Sequence, residues 1–260
     1  MTAGTEVSFG HWPYPRLVAH RGAGKLAPEN TLAAMRVGQA HGYRMVEFDV
    51  KLSADGVPFL LHDTTLDRTT DKRGRADALP WRDLALLDAG SWHSPRYAGE
   101  PLPSLAAIAL WARANDILCN IEIKPTEGRE RETGAAVALD AATYWRGAAV
   151  PPLLSSFSET ALAAARDAVP ELPRALLCGD LPPDWLDRVR RLDCLALDAR
   201  HNTLTPEIVR AAHQAGRRVL CWTPNDPERA SLLADWGVDG IITDAIDRID
   251  AGSLPVPLSL

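Results

Sequence analysis

Cysteine is scarce in this chain of 260 residues, which contains only four, far apart in sequence. No two of them stand at the C-x-x-C spacing of metal and redox motifs, and the chain is too long to be a small scaffold held together by disulfides. We therefore expect small buried hydrophobic residues in a protein of a reducing compartment, at Cys119, Cys178, Cys194 and Cys221.

Long apolar runs are also missing. The longest of them, such as Leu105 to Ala112, falls well short of the roughly 18 residues that a membrane span requires. The first fifteen residues lack the basic stretch followed by an apolar stretch that is typical of a signal peptide. The sequence predicts a cytoplasmic protein without a membrane span.

Positive charge is not in excess, because 28 Lys and Arg residues stand against 34 Asp and Glu residues, a formal net charge of −6. Proteins that bind nucleic acids or membrane surfaces usually carry a basic patch, so we expect no nucleic-acid partner. The chain has neither a G-x-G-x-x-G dinucleotide loop nor a P-loop. A small-molecule partner is expected instead, and the oligomeric state is left open.

Short apolar runs alternate with helical patterns along most of the chain. Eight such units in about 250 residues predict a closed (β/α)8 TIM barrel, with a doubly wound open sheet as the alternative. The expected strands are 16–20, the stretch from Met45, 117–123, 152–156, 174–178, 194–198, 218–222 and 239–243. The expected helices are 31–42, 104–115, 129–144, 158–169, 183–192, 206–215, 227–236 and a short one after Asp244.

Residues 63–103 interrupt this alternation. They contain several Gly and Pro residues with Trp81, Trp92 and Tyr97, and no sustained period. A segment of this length is too long for an ordinary connection, which favours a functional role. We predict a single domain over residues 1–260, with an insertion after strand 2 at about 63–103.

Two acids, Glu47 and Asp49, interrupt the apolar second strand two residues apart, so their side chains leave the same face. A buried carboxylate is costly unless it is paired or bound to a metal. Alternation on a later strand puts Glu122 on one face with Asn120 and Lys124. If the three carboxylates meet, they fit a hard divalent cation, Mg²⁺ or Ca²⁺, better than zinc. Separate ion pairs with arginines are the alternative.

His20 and His62 each end an apolar run and precede a charged residue. A pair of histidines can divide general-acid and general-base roles near neutral pH. Arg21 and Lys124 add the fixed positive charge that phosphoryl transfer requires. A metal site, two proton-transfer groups and two cations together indicate cleavage of a phosphodiester.

Other residues of the same types are either weaker site candidates or structural residues. Asp198 and Asp244 also end strands and are further candidates for contact with the substrate. Five histidines have no acidic partner at ligand spacing and are expected to be surface or structural residues: His11, His41, His93, His201 and His213. Four tryptophans fall on helical segments and are expected to pack against the barrel: Trp111, Trp145, Trp185 and Trp236.

An ordered series of motifs resembles the glycerophosphodiester phosphodiesterases of the bacterial cytoplasmic type. The series comprises His20-Arg21-Gly22, Pro28-Glu29-Asn30-Thr31, Glu47-x-Asp49, His62-Asp63, Leu66-Asp67-Arg68-Thr69-Thr70 and Ile121-Glu122-Ile123-Lys124. Three later motifs continue it: Ser155-Ser156-Phe157, Trp222-Thr223-x-Asn225 and Asp239-Gly240-x-x-Thr243-Asp244. The resemblance covers about residues 16–250.

The resemblance implies a TIM barrel with an insertion after strand 2 and a role for each matched residue. Glu47, Asp49 and Glu122 would bind one divalent metal ion, and His20 and His62 would act as general acid and base. Arg21 and Lys124 would contact the phosphate. Phe157 and Trp222 would form apolar walls for the glycerol side.

The implied reaction is metal-dependent hydrolysis of glycerophosphodiesters, such as glycerophosphocholine or glycerophosphoethanolamine, to glycerol 3-phosphate and an alcohol. Lysophospholipids and glycerophosphoinositol are alternative substrates, and a non-catalytic phosphodiester-binding barrel is a third interpretation. A lipid substrate would require an exposed apolar rim. The insertion offers six large apolar residues, most of them expected to pack inward: Leu79, Trp81, Leu84, Leu86, Leu87 and Trp92.

Overall fold

A computed structural model of the protein describes residues 12–257. Its strands are β1 (Leu17–Ala19), β2 (Met45–Leu52), β3 (Pro58–Leu60), β4 (Leu118–Ile123), β5 (Leu153–Ser156), β6 (Arg174–Cys178), β7 (Ala196–Arg200), β8 (Arg218–Trp222) and β9 (Gly240–Thr243). All except β3 pair in parallel, and β1 pairs with both β2 and β9, which closes the sheet. The predicted (β/α)8 TIM barrel is confirmed, and the open sheet is wrong.

The helices are α1 (Leu32–Ala40), α2 (Trp81–Leu84), α3 (Leu105–Ala114), α4 (Glu130–Tyr144), α5 (Glu159–Ala168), α6 (Trp185–Arg191), α7 (Pro206–Gln214) and α8 (Pro227–Asp235). Side chains of Thr31, Ser104, Ser158, Thr205 and Asp226 cap α1, α3, α5, α7 and α8 by accepting a hydrogen bond from the first helical turn. Within residues 12–257, no helix is long and apolar enough to cross a membrane.

The expected helix after Asp244 is wrong. The chain makes a single turn there, in which the backbone N–H groups of Arg248 and Ile249 donate to Ala245 O. Ala245, Ile246 and Ile249 are all buried, and Tyr43 Oη donates to Ile249 O at 2.7 Å. Burial of these closely spaced side chains anchors the segment to the core as a turn, so the last barrel unit has no helix of its own in the described chain.

Alternation along each strand separates the outer core from the barrel interior. On β2, Val46, Phe48 and Val50 pack outward against the helices, whereas Met45 points into the barrel. The lower interior is filled by one small apolar layer with Trp12 and Tyr14 beneath it: Val18, Met45, Leu153, Ala175, Ala196, Leu220 and Ile242. This layer closes the amino-terminal end of the barrel, so access to the interior is from the carboxyl ends of the strands.

Residues expected to pack do so. All four cysteines are buried and free, as the spacing predicted. Trp145 and Trp185 are buried, and Trp111 and Trp236 pack partly buried against the outer core, which confirms the structural interpretation of all four tryptophans.

Three buried arginines lie at the start of a barrel strand or directly before it. Arg16 donates to the carbonyls of Ala234 and Val238 at the end of α8. Arg174 donates to Leu172 O at 2.6 Å and to Asp193 O at 3.0 Å. Their charge is therefore compensated at the lower end of the barrel by carbonyl groups that end helices or connect them to strands.

Arg218 forms the third of these contacts. Its Nη1 donates to Asp239 Oδ1 at 2.9 Å, and Asp239 Oδ2 accepts from the Val219 backbone N–H at 2.9 Å. His213 Nε2 lies 2.8 Å from Asp239 Oδ2. His213 is therefore held in a structural contact outside the cavity, and its acidic partner is 26 positions away in sequence, where no ligand spacing could reveal it.

The segment after β2 turns back at Asp55-Gly56, where Gly56 has a φ of 81°, and returns as the antiparallel strand β3. Residues 63–103 then form a short layer with α2, two 3-10 turns and an apolar cluster that includes Leu61, Leu66 and Leu84. Leu84 is buried, Leu79, Trp81 and Leu87 are partly buried, and Leu86 and Trp92 are exposed. The insertion thus has its own small core.

Candidate active site

A cavity of about 250 Å³ opens at the carboxyl ends of the barrel strands. Eight of the nine predicted site residues line it: His20, Arg21, Glu47, His62, Glu122, Lys124, Phe157 and Trp222. The ninth, Asp49, is buried beside them and contacts both Arg21 and Lys124. The fold therefore brings together all the residues that the sequence nominated, from six different strand ends.

Three carboxylates converge at the centre of this site. Glu47, Asp49 and Glu122 each offer one oxygen, and these three atoms lie within 4.8 Å of one another. The parallel register of β2 and β4 aligns Asp49 with Glu122, which explains the closeness of two of them. Asn30 holds Asp49 in place, because its Nδ2 donates to Asp49 Oδ2 at 2.8 Å and its Oδ1 accepts from the Asp49 N–H at 3.1 Å.

Arg21 and Lys124 share these carboxylates rather than pairing with one each. Lys124 Nζ lies 2.9 Å from Glu122 Oε1 and 3.2 Å from Asp49 Oδ1, and Arg21 Nε lies 3.4 Å from Asp49 Oδ2. Among residues 12–257, Glu47 accepts one hydrogen bond, from the Arg21 backbone N–H at 3.0 Å, and lies 3.8 Å from His20 Nε2. Lys124 and Arg21 therefore serve three acids, two of them buried and one partly buried, which leaves negative charge in excess.

The protonation of the acids reflects this crowding. Although burial opposes ionisation, the charges of Lys124 and Arg21 lower the pKa of Asp49. Burial and the charge of Asp49 raise the pKa of Glu47, and they raise the pKa of Glu122 to about 8. A divalent cation would remove this penalty. The donor set fits such an ion, because all three groups are hard oxygen ligands that lie close together.

Both histidines are oriented by a carboxylate. His20 Nδ1 lies 2.6 Å from Asp244 Oδ1, and His62 Nδ1 lies 2.7 Å from Asp63 Oδ1. Burial opposes protonation of His20, but the bond to Asp244 and the charge of Glu47 raise its pKa. Burial lowers the pKa of His62 against the opposing charge of Asp49, and the charges of Arg21 and Lys124 add to the lowering. The two rings are thus biased toward opposite protonation states.

Aromatic rings form the rim. Phe157 and Trp222 meet edge to face with centroids 5.6 Å apart, and Phe157 is 46% exposed. Lys124 Nζ lies 5.8 Å from the Phe157 centroid, and Arg200 Cζ lies 5.5 Å from the Trp222 centroid. The rim therefore offers apolar surface with positive charge beside it.

Comparison with known proteins agrees with this geometry. Residues 20–248 match the model of the glycerophosphoryl diester phosphodiesterase family. The chain belongs to this family. It is 33% identical over 230 residues to a glycerophosphodiester phosphodiesterase of Caldanaerobacter subterraneus, a match that covers 88% of this chain and 93% of the relative. This member of the glycerophosphodiester phosphodiesterase family is therefore a phosphoric diester hydrolase.

Solved structures of the family share the fold. The protein superposes with a TM-score of 0.85 and 36% identity on a phosphodiesterase of Oleispira antarctica in complex with the product sn-glycerol 3-phosphate, covering 91% of this chain and 95% of that one. With a glycerophosphodiester phosphodiesterase of Agrobacterium tumefaciens the TM-score is 0.75 at 28% identity, with coverage of 90% and 97%.

The structure places further residues at the site that the sequence alone did not single out. Arg68, in the insertion, binds Asp63 Oδ2 at 2.7 Å and Glu29 Oε2 at 2.7 Å. Glu29 Oε1 in turn accepts from Arg21 Nη1 at 2.7 Å. A chain of ion pairs therefore links His62, through Asp63, to Arg21 beside the three clustered carboxylates. The run Leu66-Asp67-Arg68-Thr69-Thr70, directly after His62-Asp63, was the available signal.

The two aspartates that were further candidates take different places. Asp244 orients His20 and accepts from Asn225 Nδ2 at 3.0 Å. Asp198 lies inside the barrel, where it lines the cavity. Of the remaining histidines, His41 is exposed, His93 lies 3.0 Å from Lys25 O and His201 lies 3.4 Å from Arg229 Nε. His11 falls outside the described residues.

Proposed function

We propose that this phosphodiesterase hydrolyses glycerophosphodiesters to glycerol 3-phosphate and an alcohol with one bound Mg²⁺ or Ca²⁺ ion. The observation that supports this most directly is the meeting of three carboxylate oxygens within 4.8 Å of one another. The same cavity holds two carboxylate-oriented histidines and two cations. We take residues 1–260 as one catalytic domain with the insertion at about 63–103.

Glu47, Asp49 and Glu122 would hold the metal ion. When bound, such an ion stabilises negative charge on a phosphoryl group and binds hydroxyl groups in fixed positions. The choice between Mg²⁺ and Ca²⁺ depends on coordination number, since Mg²⁺ requires near-octahedral geometry and Ca²⁺ accepts six to eight oxygens. Asn30 fixes the orientation of Asp49 by two hydrogen bonds, which limits how far this ligand can adjust.

Arg21 and Lys124 would bind the non-bridging phosphate oxygens. Both cations already lie at the carboxylate cluster, Lys124 within 3.2 Å of Asp49 and Arg21 within 3.4 Å. The salt bridge from Arg21 to Glu29 at 2.7 Å keeps its guanidinium group facing the cavity. Fixed positive charge in a partly buried site stabilises the charge that develops on phosphorus-bound oxygens.

His62 and His20 would move the two protons of the reaction. His62, whose pKa is lowered, accepts a proton from the attacking group, which is water or a glycerol hydroxyl. Attack by a glycerol hydroxyl releases the alcohol and leaves a cyclic phosphodiester, which water then opens to glycerol 3-phosphate. His20, whose pKa is raised, donates a proton to the oxygen of the departing alcohol as the P–O bond breaks. Asp63 and Asp244 keep both rings in the orientation that these transfers need.

Phe157 and Trp222 are proposed as apolar walls of the substrate site, with the head-group alcohol directed to the open rim. An acylated lysophospholipid is supported less well, because only Leu86 and Trp92 among the six apolar residues of the insertion are exposed. Glycerophosphoinositol would change only the alcohol at the rim. Two histidines each held by a carboxylate, beside three clustered acids, favour catalysis over binding alone.

A coupled assay for glycerol 3-phosphate tests the proposal. The purified full chain would be incubated with glycerophosphocholine, glycerophosphoethanolamine, glycerophosphoinositol and lysophosphatidylcholine, with Mg²⁺, Ca²⁺ or a chelator. We expect turnover of deacylated substrates with added metal and loss of turnover with the chelator. The His62→Ala variant controls for a contaminating enzyme. No release from any deacylated substrate with either metal would refute the proposed reaction.

A further inference from the structure

Arg68 belongs to the insertion, and its guanidinium group contacts two carboxylates at once. Its Nε and Nη2 atoms bind the two oxygens of Asp63, at 2.7 and 3.0 Å. Its Nη1 and Nη2 atoms bind the two oxygens of Glu29, at 2.7 and 2.8 Å. Because the guanidinium group is planar and each contact has two points, these contacts fix the direction of both carboxylates as well as their distance.

Each carboxylate shares one of these oxygens with a group of the active site. Asp63 Oδ1 also lies 2.7 Å from His62 Nδ1, and Glu29 Oε1 also accepts from Arg21 Nη1 at 2.7 Å. Both shared oxygens contact the same atom of Arg68, Nη2. His62 and Arg21 follow different strands, β3 and β1, so local backbone geometry does not set one against the other. A single nitrogen of the insertion joins their partners instead.

The backbone that carries Arg68 is held by contacts other than these ion pairs. Leu66 is fully buried in the apolar core of the insertion, and Thr69 and Thr70 are buried directly after Arg68. The Thr70 backbone N–H and Oγ1 both donate to Leu66 O, at 3.0 and 2.8 Å. The guanidinium group therefore extends from a fixed turn, which allows it to hold the two carboxylates in place.

Stability does not account for this arrangement. The side chain of Arg68 is 44% exposed, and ion pairs at exposed positions contribute little to stability. Two other contacts hold the insertion against the first barrel unit: Glu100 Oε1 accepts from the Ala33 N–H at 2.9 Å, and His93 Nε2 lies 3.0 Å from Lys25 O. Docking of the insertion is thus separable from the contacts of Arg68.

We propose that Arg68 is a positioning residue, which sets His62 and Arg21 relative to each other through Asp63 and Glu29. This inference rests on the proposed function for the roles of His62 in proton transfer and of Arg21 in phosphate binding. Both groups act on the same phosphorus, so proton transfer and charge stabilisation must be aligned with each other. A misplacement of about 1 Å can lower a rate by about 100-fold.

Kinetics and ligand binding on the full chain in Mg²⁺ test this role. Turnover of glycerophosphocholine would give kcat and KM, and calorimetry would give the affinity for sn-glycerol 3-phosphate. Arg68→Met removes the charge and keeps an apolar side chain, whereas Arg68→Lys keeps the charge on one nitrogen in place of three. Glu100→Ala is the matched control, because it removes a docking contact of the insertion and leaves Asp63 and Glu29 unchanged.

We expect Arg68→Met to lower kcat by about 10–100-fold, because His62 loses its fixed orientation. The affinity for glycerol 3-phosphate should fall by about fivefold or more, because Arg21 is less well held. Arg68→Lys should recover part of each loss, since a single nitrogen cannot form both two-point contacts. Glu100→Ala should keep wild-type values of both quantities. Thermal unfolding should be nearly unchanged in all three variants.

Double variants separate the two effects. Asp63→Asn and Glu29→Gln would each be combined with Arg68→Met. The combined loss of kcat with Asp63→Asn should be smaller than the product of the two single losses, because both changes disturb the same ring. The combined loss of affinity with Glu29→Gln should likewise be smaller than the product of the single losses.

Three results would overturn the positioning role: wild-type kcat and affinity in Arg68→Met, the same losses in Glu100→Ala as in Arg68→Met, or full recovery by Arg68→Lys. A wild-type protein that binds glycerol 3-phosphate without turning over any substrate would refute the proposed hydrolysis alone. The affinities of Arg68→Met and Glu100→Ala would then decide the role of Arg68.

Discussion

The two ends of the barrel differ in how fully their buried charges are compensated by partners within the chain. At the lower end, Arg16 and Arg174 are buried against backbone carbonyls, and Arg218 is buried against Asp239. At the upper end, Glu47 and Asp49 are equally buried, yet they share two cations with Glu122 and repel one another. The chain supplies most of the partners of its lower charges and too few partners for its upper ones.

This difference separates stability from function. A buried charge that has its partners within the fold costs less stability than a buried charge without partners. The charges at the lower end therefore serve the stability of the fold. A buried charge with too few partners lowers stability until a ligand supplies the missing interaction, so the upper end belongs to the reaction. Substitutions at the two ends should therefore have effects of opposite kinds.

The largest effect is expected for Glu47→Ala, at the upper end. Loss of this ligand should weaken metal binding and lower kcat/KM by about a thousandfold or more, since a metal supplies several kcal/mol of transition-state stabilisation. Removal of one crowded carboxylate should leave the metal-free protein as stable as the wild type or more so. Calorimetric metal titration, kinetics and thermal unfolding measure these three quantities. Normal metal affinity with full activity would exclude Glu47 as a ligand.

His62→Ala should separate proton transfer from metal binding at the same end. We expect turnover to fall by about 10²–10⁴-fold, the range for a general acid or base, with unchanged metal affinity. His41→Ala, at an exposed position, is the matched control and should retain wild-type kinetics. Near-normal turnover by His62→Ala would contradict its assigned role.

Arg174→Met should show the reverse pattern at the lower end. The side chain keeps its apolar volume but leaves the carbonyls of Leu172 and Asp193 without their donor. The free energy of unfolding should fall by about 2–4 kcal/mol, while kcat/KM stays unchanged below the unfolding temperature. Denaturant unfolding and kinetics on the same preparation measure the stability and kcat/KM. Arg190→Met, at an exposed arginine, is the control. Reduced kcat/KM at unchanged stability would break the contrast between the two ends.

The smallest expected effect is the pH dependence of the stability of the metal-free protein. The pKa of Glu122 is raised to about 8 by burial and Asp49, so in the metal-free protein this carboxyl group holds a proton that the unfolded chain releases. Its contribution to stability is therefore fully present below the unfolded pKa and is lost as pH rises through about 8. The unfolding midpoint of the metal-free protein should fall between about pH 6 and pH 8.

Metal affinity should change in the opposite direction over the same range. The metal displaces the Glu122 proton, so affinity should rise with pH by up to about tenfold per unit below the pKa. Titration calorimetry in buffers of different ionisation enthalpy measures the released proton directly. Constant metal affinity between about pH 6 and pH 8 would contradict the raised pKa of Glu122.

Much of the site followed from local pattern. The spacing of Glu47 and Asp49 placed both acids on one face of a strand whatever the rest of the chain did. The positions of His20 and His62 at the ends of apolar runs likewise identified them. Both inferences needed only strand periodicity and the rule that parallel strand ends meet at one edge.

Contacts between distant parts of the chain could not be predicted from local sequence pattern. Asp244 reaches His20 because β9 pairs with β1 to close the barrel, and Asp239 reaches His213 across 26 positions. Arg68 reaches Glu29 across 39 positions because the insertion covers the site. No sequence spacing encodes these distances.

The sequence by itself determined the alternation of strands and helices, the acids and histidines at strand ends and, through its motifs, the family. Only the tertiary structure decided which carboxylate orients which histidine, how two cations are shared among three acids, and that Asp198 lines the cavity with Asn120 and Ser155. The physical reason is range: side-chain direction on a strand is set by the backbone within a few residues, whereas charge balance and burial depend on closure of the whole barrel.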